Sequence, residues 1–139
     1  MTPVVFTNGC FDILHVGHIN LLRECRKLAG NTGKVIVGLN SDSSVKKLKG
    51  PNRPVNNEKS RKFILESLKY VDEVIIFEED DPEALLSKLK PDFLVKGGDY
   101  TVEQIIGKQH AKKVVVFPYV DGHSTTSTIE KFSKSISHR

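Results

Sequence analysis

The chain has 139 residues, with 21 lysines and arginines against 17 aspartates and glutamates, for a formal net charge of +4. That length suits a single domain (1–139) able to bury about two thirds of its unfolded surface, so no disulfide or metal staple is required. Two cysteines, no charged-then-apolar leader and no apolar run approaching about 18 residues argue against a disulfide-framed secreted module and against a helical membrane span, and lead us to expect a cytoplasmic protein.

The charge is uneven: +7 over 1–62, −7 over 63–103 and +4 over 104–139. A localised positive region suits a polyanionic small molecule. A nucleic-acid binder more often shows a continuous basic face and a reading helix, so no nucleic-acid partner is expected.

In chain order, 4–7 (Val4-Val5-Phe6-Thr7) reads as a strand running into the turn Asn8-Gly9-Cys10-Phe11-Asp12. His15 and His18 follow, with Gly17 between them, and an apolar-periodic helix covers 16–29. A strand feeding a glycine turn and a helix N-terminus is a ready anion site, because unbonded amides and the positive end of the helix dipole point the same way. Gly17 removes bulk where a ligand could approach the backbone. Zinc is the competing reading of paired histidines, but zinc takes three or four ligands. His110, His123 and His138 are scattered, and Cys10 and Cys25 form no close pair.

The near-continuous apolar run 34–39 has the pattern of a strand buried on both faces of a parallel sheet. A short helix is expected over 45–48, then a loop rich in Gly, Pro and Asn over 49–57. Asn56 or Asn57 would cap a helix over 58–69 whose buried face is Phe63, Ile64, Leu65 and Leu68. A third strand spans 71–77. The acidic stretch 78–82 reads as a solvated helix start with Pro82 near the first turn and Leu85, Leu86 and Leu89 facing inward. A fourth strand over 92–95 ends in Lys96-Gly97-Gly98-Asp99-Tyr100, and a short helix follows at 102–106. A fifth strand covers 114–118, and 121–126 leads into a closing helix through Ile129 and Phe132.

Strands alternating with helices make a doubly wound α/β domain: a five-stranded parallel sheet with helices on both faces. In such a sheet the ligand sits beyond the strand C-termini, where the strand order reverses. The polar clusters fall there, and they contain no plausible catalytic triad. They offer charge and donors: His15, His18, Lys46, Lys49, Arg53, Arg61, Lys96 and the hydroxyls of Ser124, Thr125 and Thr126. Lys46 and Lys47 are equally well read as ordinary solvated lysines. Lys49 and Lys96 each abut a glycine at the expected active edge. Such a set suits phosphoryl transfer, which asks mainly for positioning and charge neutralisation. Mg²⁺ is the expected cofactor, bridging phosphate oxygens; Asp12, Asp42 and Asp99 are candidate direct or water-mediated partners, with turn or cap chemistry the alternative for each. No residues are assigned as dedicated protein ligands for a metal.

The stretch Gly9-Cys10-Phe11-Asp12 with His15-Val16-Gly17-His18 resembles the signature of the cytidylyltransferase-like nucleotidyltransferases. The resemblance runs through Asn40-Ser41-Asp42, Leu48-Lys49-Gly50, Arg53-Pro54-Val55, Arg61, Val71-Asp72, Phe77-Glu78-Glu79-Asp80, Pro91-Asp92, the 94–100 run, Ile106-Gly107 and Asp121-Gly122-His123-Ser124-Thr125-Thr126. In order and spacing it is similar to the branch of that family that adenylylates heptose 1-phosphate. It implies a Rossmann-like nucleotidyltransferase fold, with ATP and a sugar 1-phosphate as partners, no membrane partner, and room for a homodimer. By position it implies that His15, His18 and Lys49 carry the catalysis, and that Thr7, Asn8, Gly9, Cys10, Phe11, Lys96, Gly97, Asp99, Gly122, Ser124, Thr125 and Thr126 line the nucleotide's path. Asn40, Asp42, Arg53 and Arg61 would then serve the substrate, the roles of the two arginines undivided.

Two departures matter. Glycerol-3-phosphate cytidylyltransferases carry an Arg-Thr-x-Gly run before Ser-Thr-Thr, whereas Tyr119-Val120-Asp121-Gly122 stands here without the arginine, which implies adenine over cytosine. Met1 abuts the first strand, so the sugar phosphate is expected to come from another protein. The competing readings are a cytidylyltransferase for glycerol 3-phosphate or another polyol or sugar phosphate, and a non-catalytic nucleotide-binding module.

Overall fold

In the computed structural model, which describes residues 2–98 and 101–118, strands and helices alternate along the chain. The strands are β1 (Val4–Gly9), β2 (Lys34–Asn40), β3 (Glu73–Phe77), β4 (Phe93–Gly97) and β5 (Lys113–Phe117). The helices are α1 (Val16–Ala29), α2 (Asp42–Lys49), α3 (Glu58–Glu66) and α4 (Glu83–Leu89), with 3₁₀ turns at Val102–Gln104 and Lys108–His110. Asp99, Gly122, Ser124, Thr125, Thr126 and the expected closing helix lie outside the described residues.

The five strands form one parallel sheet in the order β3-β2-β1-β4-β5. β1 lies at its centre, with Val5 opposite Val35 on β2 and opposite Phe93 on β4. Successive β1 side chains point to opposite faces, and both faces are covered, so Val5 and Phe6 are each fully buried. On one face Val5, Val35, Val37, Leu39 and Val95 pack under Leu21, Leu22 and Cys25 of α1 and Leu65 of α3. On the other, Phe6, Ile36 and Leu94 pack with Leu86 of α4 and with Ile105. Among the described residues no helix is long and apolar enough to cross a membrane.

The chain turns from β1 to β2 on one side of the sheet and from β3 to β4 on the other. The strand order therefore reverses between β1 and β4, and the crevice beyond their C-termini is where a ligand belongs in this architecture. Ser41 caps α2 by accepting the Ser44 amide, and Asn57 caps α3 by accepting the Ser60 amide.

One sequence expectation needs correction. α3 ends at Glu66, and its buried stripe is Arg61 and Leu65. Phe63 is 72% and Ile64 40% exposed. Residues 61 and 65 share a helical face, and residue 63 lies nearly opposite; the fold uses that face for a guanidinium. The acidic stretch leads directly into α4, which begins at Glu83, with Pro82 at the cap position and Asp81 Oδ1 accepting the Glu83 amide at 3.0 Å.

Candidate active site

A cavity of about 440 Å³ opens at the C-terminal edge of the sheet. The loop after β1 contributes Asn8, Gly9, Cys10 and Phe11, and the start of α1 contributes His15 and His18. Asn40 comes from the end of β2, Lys49 from the end of α2, Arg53 from the following loop, and Lys96 and Gly97 from the end of β4. Eleven residues expected at the ligand from the sequence are thus brought to one cavity.

The histidine pair is built by reciprocal capping. His15 is the cap residue of α1, and its Nδ1 accepts the Gly17 amide at 3.1 Å. The His15 amide in turn donates to His18 Nδ1 at 3.3 Å. The rings stack, with centroids 3.8 Å apart. Both Nδ1 atoms face amide donors, so each neutral ring carries its proton on Nε2. Two imidazolium charges at that separation would repel by about 4 kcal/mol at an effective dielectric of 20, so the pair cannot be doubly charged near neutral pH. Burial, then the neighbouring His15 and Lys49, lower His18 from 6.5 to about 4. The sequence reading offered backbone amides and imidazole charge to the anion. In the structure the Gly17 and His15 amides are held by the rings, and His18 is a neutral donor. Each ring extends an amide's polarity from the amide N–H through Nδ1 to Nε2–H.

The positive charge comes from Lys49, Arg53 and Lys96, supported by the N-terminal dipole of α1. Burial lowers Lys96, and the neighbouring Cys10 opposes that shift. Burial also raises the Cys10 thiol, which keeps it protonated and unsuited to nucleophilic work. Beneath the pair, Phe11 takes a left-handed backbone (φ 44°) that places its buried ring 5.3 Å from His18. A side chain at Gly9 would crowd that ring at 3.2 Å.

Three expected ligand residues do not line the cavity. Thr7 is fully buried within β1. Arg61 is 1% exposed and all of its guanidinium nitrogens are engaged. Nε donates to Asn56 O (2.9 Å), Nη1 to Cys10 O and Asn40 O (2.8 Å each), and Nη2 to Asp42 Oδ1 (2.8 Å). It ties the ends of β1 and β2 to the cap of α3, and Asp42 serves as its counter-ion. The two arginines, undivided by sequence, are thus divided by structure: Arg61 lies under the floor and Arg53 in the cavity.

The cavity also holds residues the sequence reading assigned no ligand role: Leu48, Asp80, Asp81, Pro82, Gln104, Ile105 and Ile106. The findable signal was position, since 80–82 and 104–106 follow β3 and β4 on the same edge as the other clusters.

Asp12 and Asp42 do not fit as direct magnesium ligands. Asp12 is 2% exposed, and its carboxylate oxygens accept the Val55 and Asn56 amides at 2.7 and 2.8 Å. Asp42 is paired with Arg61. Among the described residues no three acidic, histidine or cysteine side chains gather as a metal site.

The sheet order and the cavity at its switch point, lined by paired imidazoles and by Lys49, Arg53 and Lys96, place the chain in the Rossmann-like α/β class. The cytidylyltransferase-like family model matches residues 6–132, and the chain belongs to that family. It is 51% identical over 132 residues to the bifunctional protein HldE of Aliarcobacter butzleri, covering 95% of this chain and 27% of that one. It is 52% identical over 128 residues to the bifunctional protein HldE of Campylobacter fetus, covering 92% and 27%. The chain therefore spans about a quarter of the length of these curated relatives. Among solved structures, a lipopolysaccharide core biosynthesis protein from Thermoplasma volcanium superimposes with a TM-score of 0.69 at 31% identity, over 86% of this chain and 98% of that one.

Proposed function

We propose that the chain is a nucleotidyltransferase that moves AMP from ATP to D-glycero-β-D-manno-heptose 1-phosphate, giving ADP-heptose and pyrophosphate. The observation that carries this reading is the cavity itself: the His15 and His18 rings and Lys49, Arg53 and Lys96 converge at the sheet's switch point. An oxygen of the sugar phosphate attacks the α-phosphorus of ATP, and the bond to the pyrophosphate oxygen breaks. A phosphate monoester is largely ionised at neutral pH, its second pKa being about 6, so no general base is needed. The barrier is the approach of two anions, and preorganised donors and cations lower it. His15 and His18 hold the triphosphate through Nε2–H, while Lys49, Arg53 and Lys96 neutralise the gathered charge. Mg²⁺ bound with ATP would supply further charge neutralisation.

The similarity to HldE and to a lipopolysaccharide core biosynthesis protein supports a heptose substrate. The missing arginine before Ser124-Thr125-Thr126 supports adenine over cytosine. The use of ATP suits a cytoplasmic reaction. Pyrophosphate release from a panel of nucleoside triphosphates, each with heptose, glycerol and hexose phosphates, tests the assignment. Turnover is expected with ATP and heptose 1-phosphate. Turnover only with CTP and glycerol 3-phosphate would assign the chain to the cytidylyltransferase reading instead.

A further inference from the structure

The loop joining α2 to α3 has no regular secondary structure over residues 50–57, yet it delivers Arg53 to the cavity. Arg61 Nε holds it from beneath at Asn56 O, and Asp12 holds it across the turn. The buried carboxylate accepts the Val55 and Asn56 amides, and Asn56 Nδ2 donates back to Asp12 O at 3.1 Å. The loop is thereby fastened across the β1–α1 turn at three points.

Arg53 itself is held differently. Its side chain is 13% exposed and its Nε lies 3.5 Å from Asp12 Oδ2, an ion pair too long to be a hydrogen bond. Among the described residues its buried Nε and Nη2 atoms have no hydrogen-bond partner. A desolvated guanidinium with unmet donors beside a cavity calls for an anion, and a phosphate fits its forked geometry. Asp12 offers no open oxygen for a metal, and a phosphate nucleophile has no proton for it to take.

We propose that Asp12 is a positioning residue for Arg53: it folds 53–56 against the nucleotide turn and so presents the unsatisfied guanidinium to a substrate phosphate. The catalytic part of this rests on the nucleotidyltransferase reading above. Asp12→Asn keeps the shape, loses the charge beside Arg53 and leaves one of the Val55 and Asn56 amides facing a donor. It is expected to lower kcat/KM by up to about a hundredfold, the scale of a misplaced binding group, with the Mg²⁺ concentration for half-maximal rate unchanged. In a double-mutant cycle, Asp12→Asn with Arg53→Ala is expected to fall within about threefold of Arg53→Ala alone, because the first residue acts through the second. Multiplying penalties, or a raised Mg²⁺ requirement, would overturn the proposal.

Calorimetry with inorganic pyrophosphate and inorganic phosphate keeps this distinct from the substrate assignment. Should the wild-type chain fail to use heptose 1-phosphate, the function has been misassigned, while anion affinity still reports the Asp12–Arg53 pair. Affinity for at least one of the two anions is expected to weaken in both single variants, with no further loss in the double. Unchanged affinity for both anions in both variants would overturn the proposal. Hydrogen exchange on the wild-type protein needs no variant to fold: the Val55 and Asn56 amides are expected to exchange as slowly as strand amides, and exchange at loop rates would also overturn it.

Discussion

His18→Ala is expected to lower kcat by about two to three orders of magnitude while the protein stays folded, the range seen when one preorganised donor is removed from a developing anionic centre. The ring has two jobs that substitutions can separate. Its Nδ1 accepts the His15 amide and helps cap α1, a contribution of about 1 kcal/mol to stability. In the proposed reaction its Nε2–H is the donor toward phosphate. Asparagine places an acceptor near the Nδ1 position, so His18→Asn is expected to keep most of the stability and little of the rate. Glutamine places a donor near Nε2, so His18→Gln is expected to keep more of the rate than either alanine or asparagine. Steady-state kinetics and thermal melts on the three variants check this; equal rates in all three would remove the donor role.

The same ring gives stability a pH signature. The unfolded chain protonates this imidazole near 6.5, whereas the native protein resists until about 4. Between those values the unfolded state binds more protons, so stability falls as pH drops. This group accounts for up to about 3 kcal/mol across that window. Above 6.5 its contribution is flat. His18→Asn is expected to flatten that part of the stability curve.

The largest stability effect is expected at Arg61. Methionine there fills a similar volume but leaves the carbonyls of Cys10, Asn40 and Asn56 and the carboxylate of Asp42 without their shared donor. Breaking a buried charge network in this way costs about 3–5 kcal/mol, against a total stability of about 5–15 kcal/mol for an ordinary domain. Denaturant melts of Arg61→Met are expected to show that loss, and Arg61→Lys to recover only part of it, since one ammonium cannot serve four acceptors set around a planar fork. A change below about 1 kcal/mol, within the ordinary range for exposed sites, would mean the network does not hold the loops. Activity is expected to fall with stability, because Cys10 and Asn40 line the cavity.

What was legible in the sequence, and what was not, follows from the range of the interactions. α1 was legible over about 16–29 because its histidine start, glycine and apolar spacing are all local. The parallel sheet was legible from runs such as 34–39, apolar on both faces. The edge that carries the cavity was legible because the polar clusters follow the strands. Arg61 was not, since nothing within a few residues says that an arginine will be buried under carbonyls up to 51 positions away. The exposure of Phe63 follows from the same choice, because a helix buries one stripe. Asp12 looked like a candidate for metal because its partners, Val55 and Asn56, are 43 and 44 residues distant. The charge state of the histidine pair was invisible for a related reason. Spacing puts two imidazoles together, but only the reciprocal amide contacts fix which nitrogen carries the proton.

The most direct measurement is a crystal structure of the chain with a non-hydrolysable ATP analogue and Mg²⁺. The expected result is the triphosphate at the C-terminal edge between β1 and β4, with its oxygens within hydrogen-bond distance of Nε2 of His15 and His18 and with Lys49 beside them. Phosphates bound elsewhere on the molecule, or met at the histidines by Nδ1 with the α1 capping contacts broken, would contradict the account.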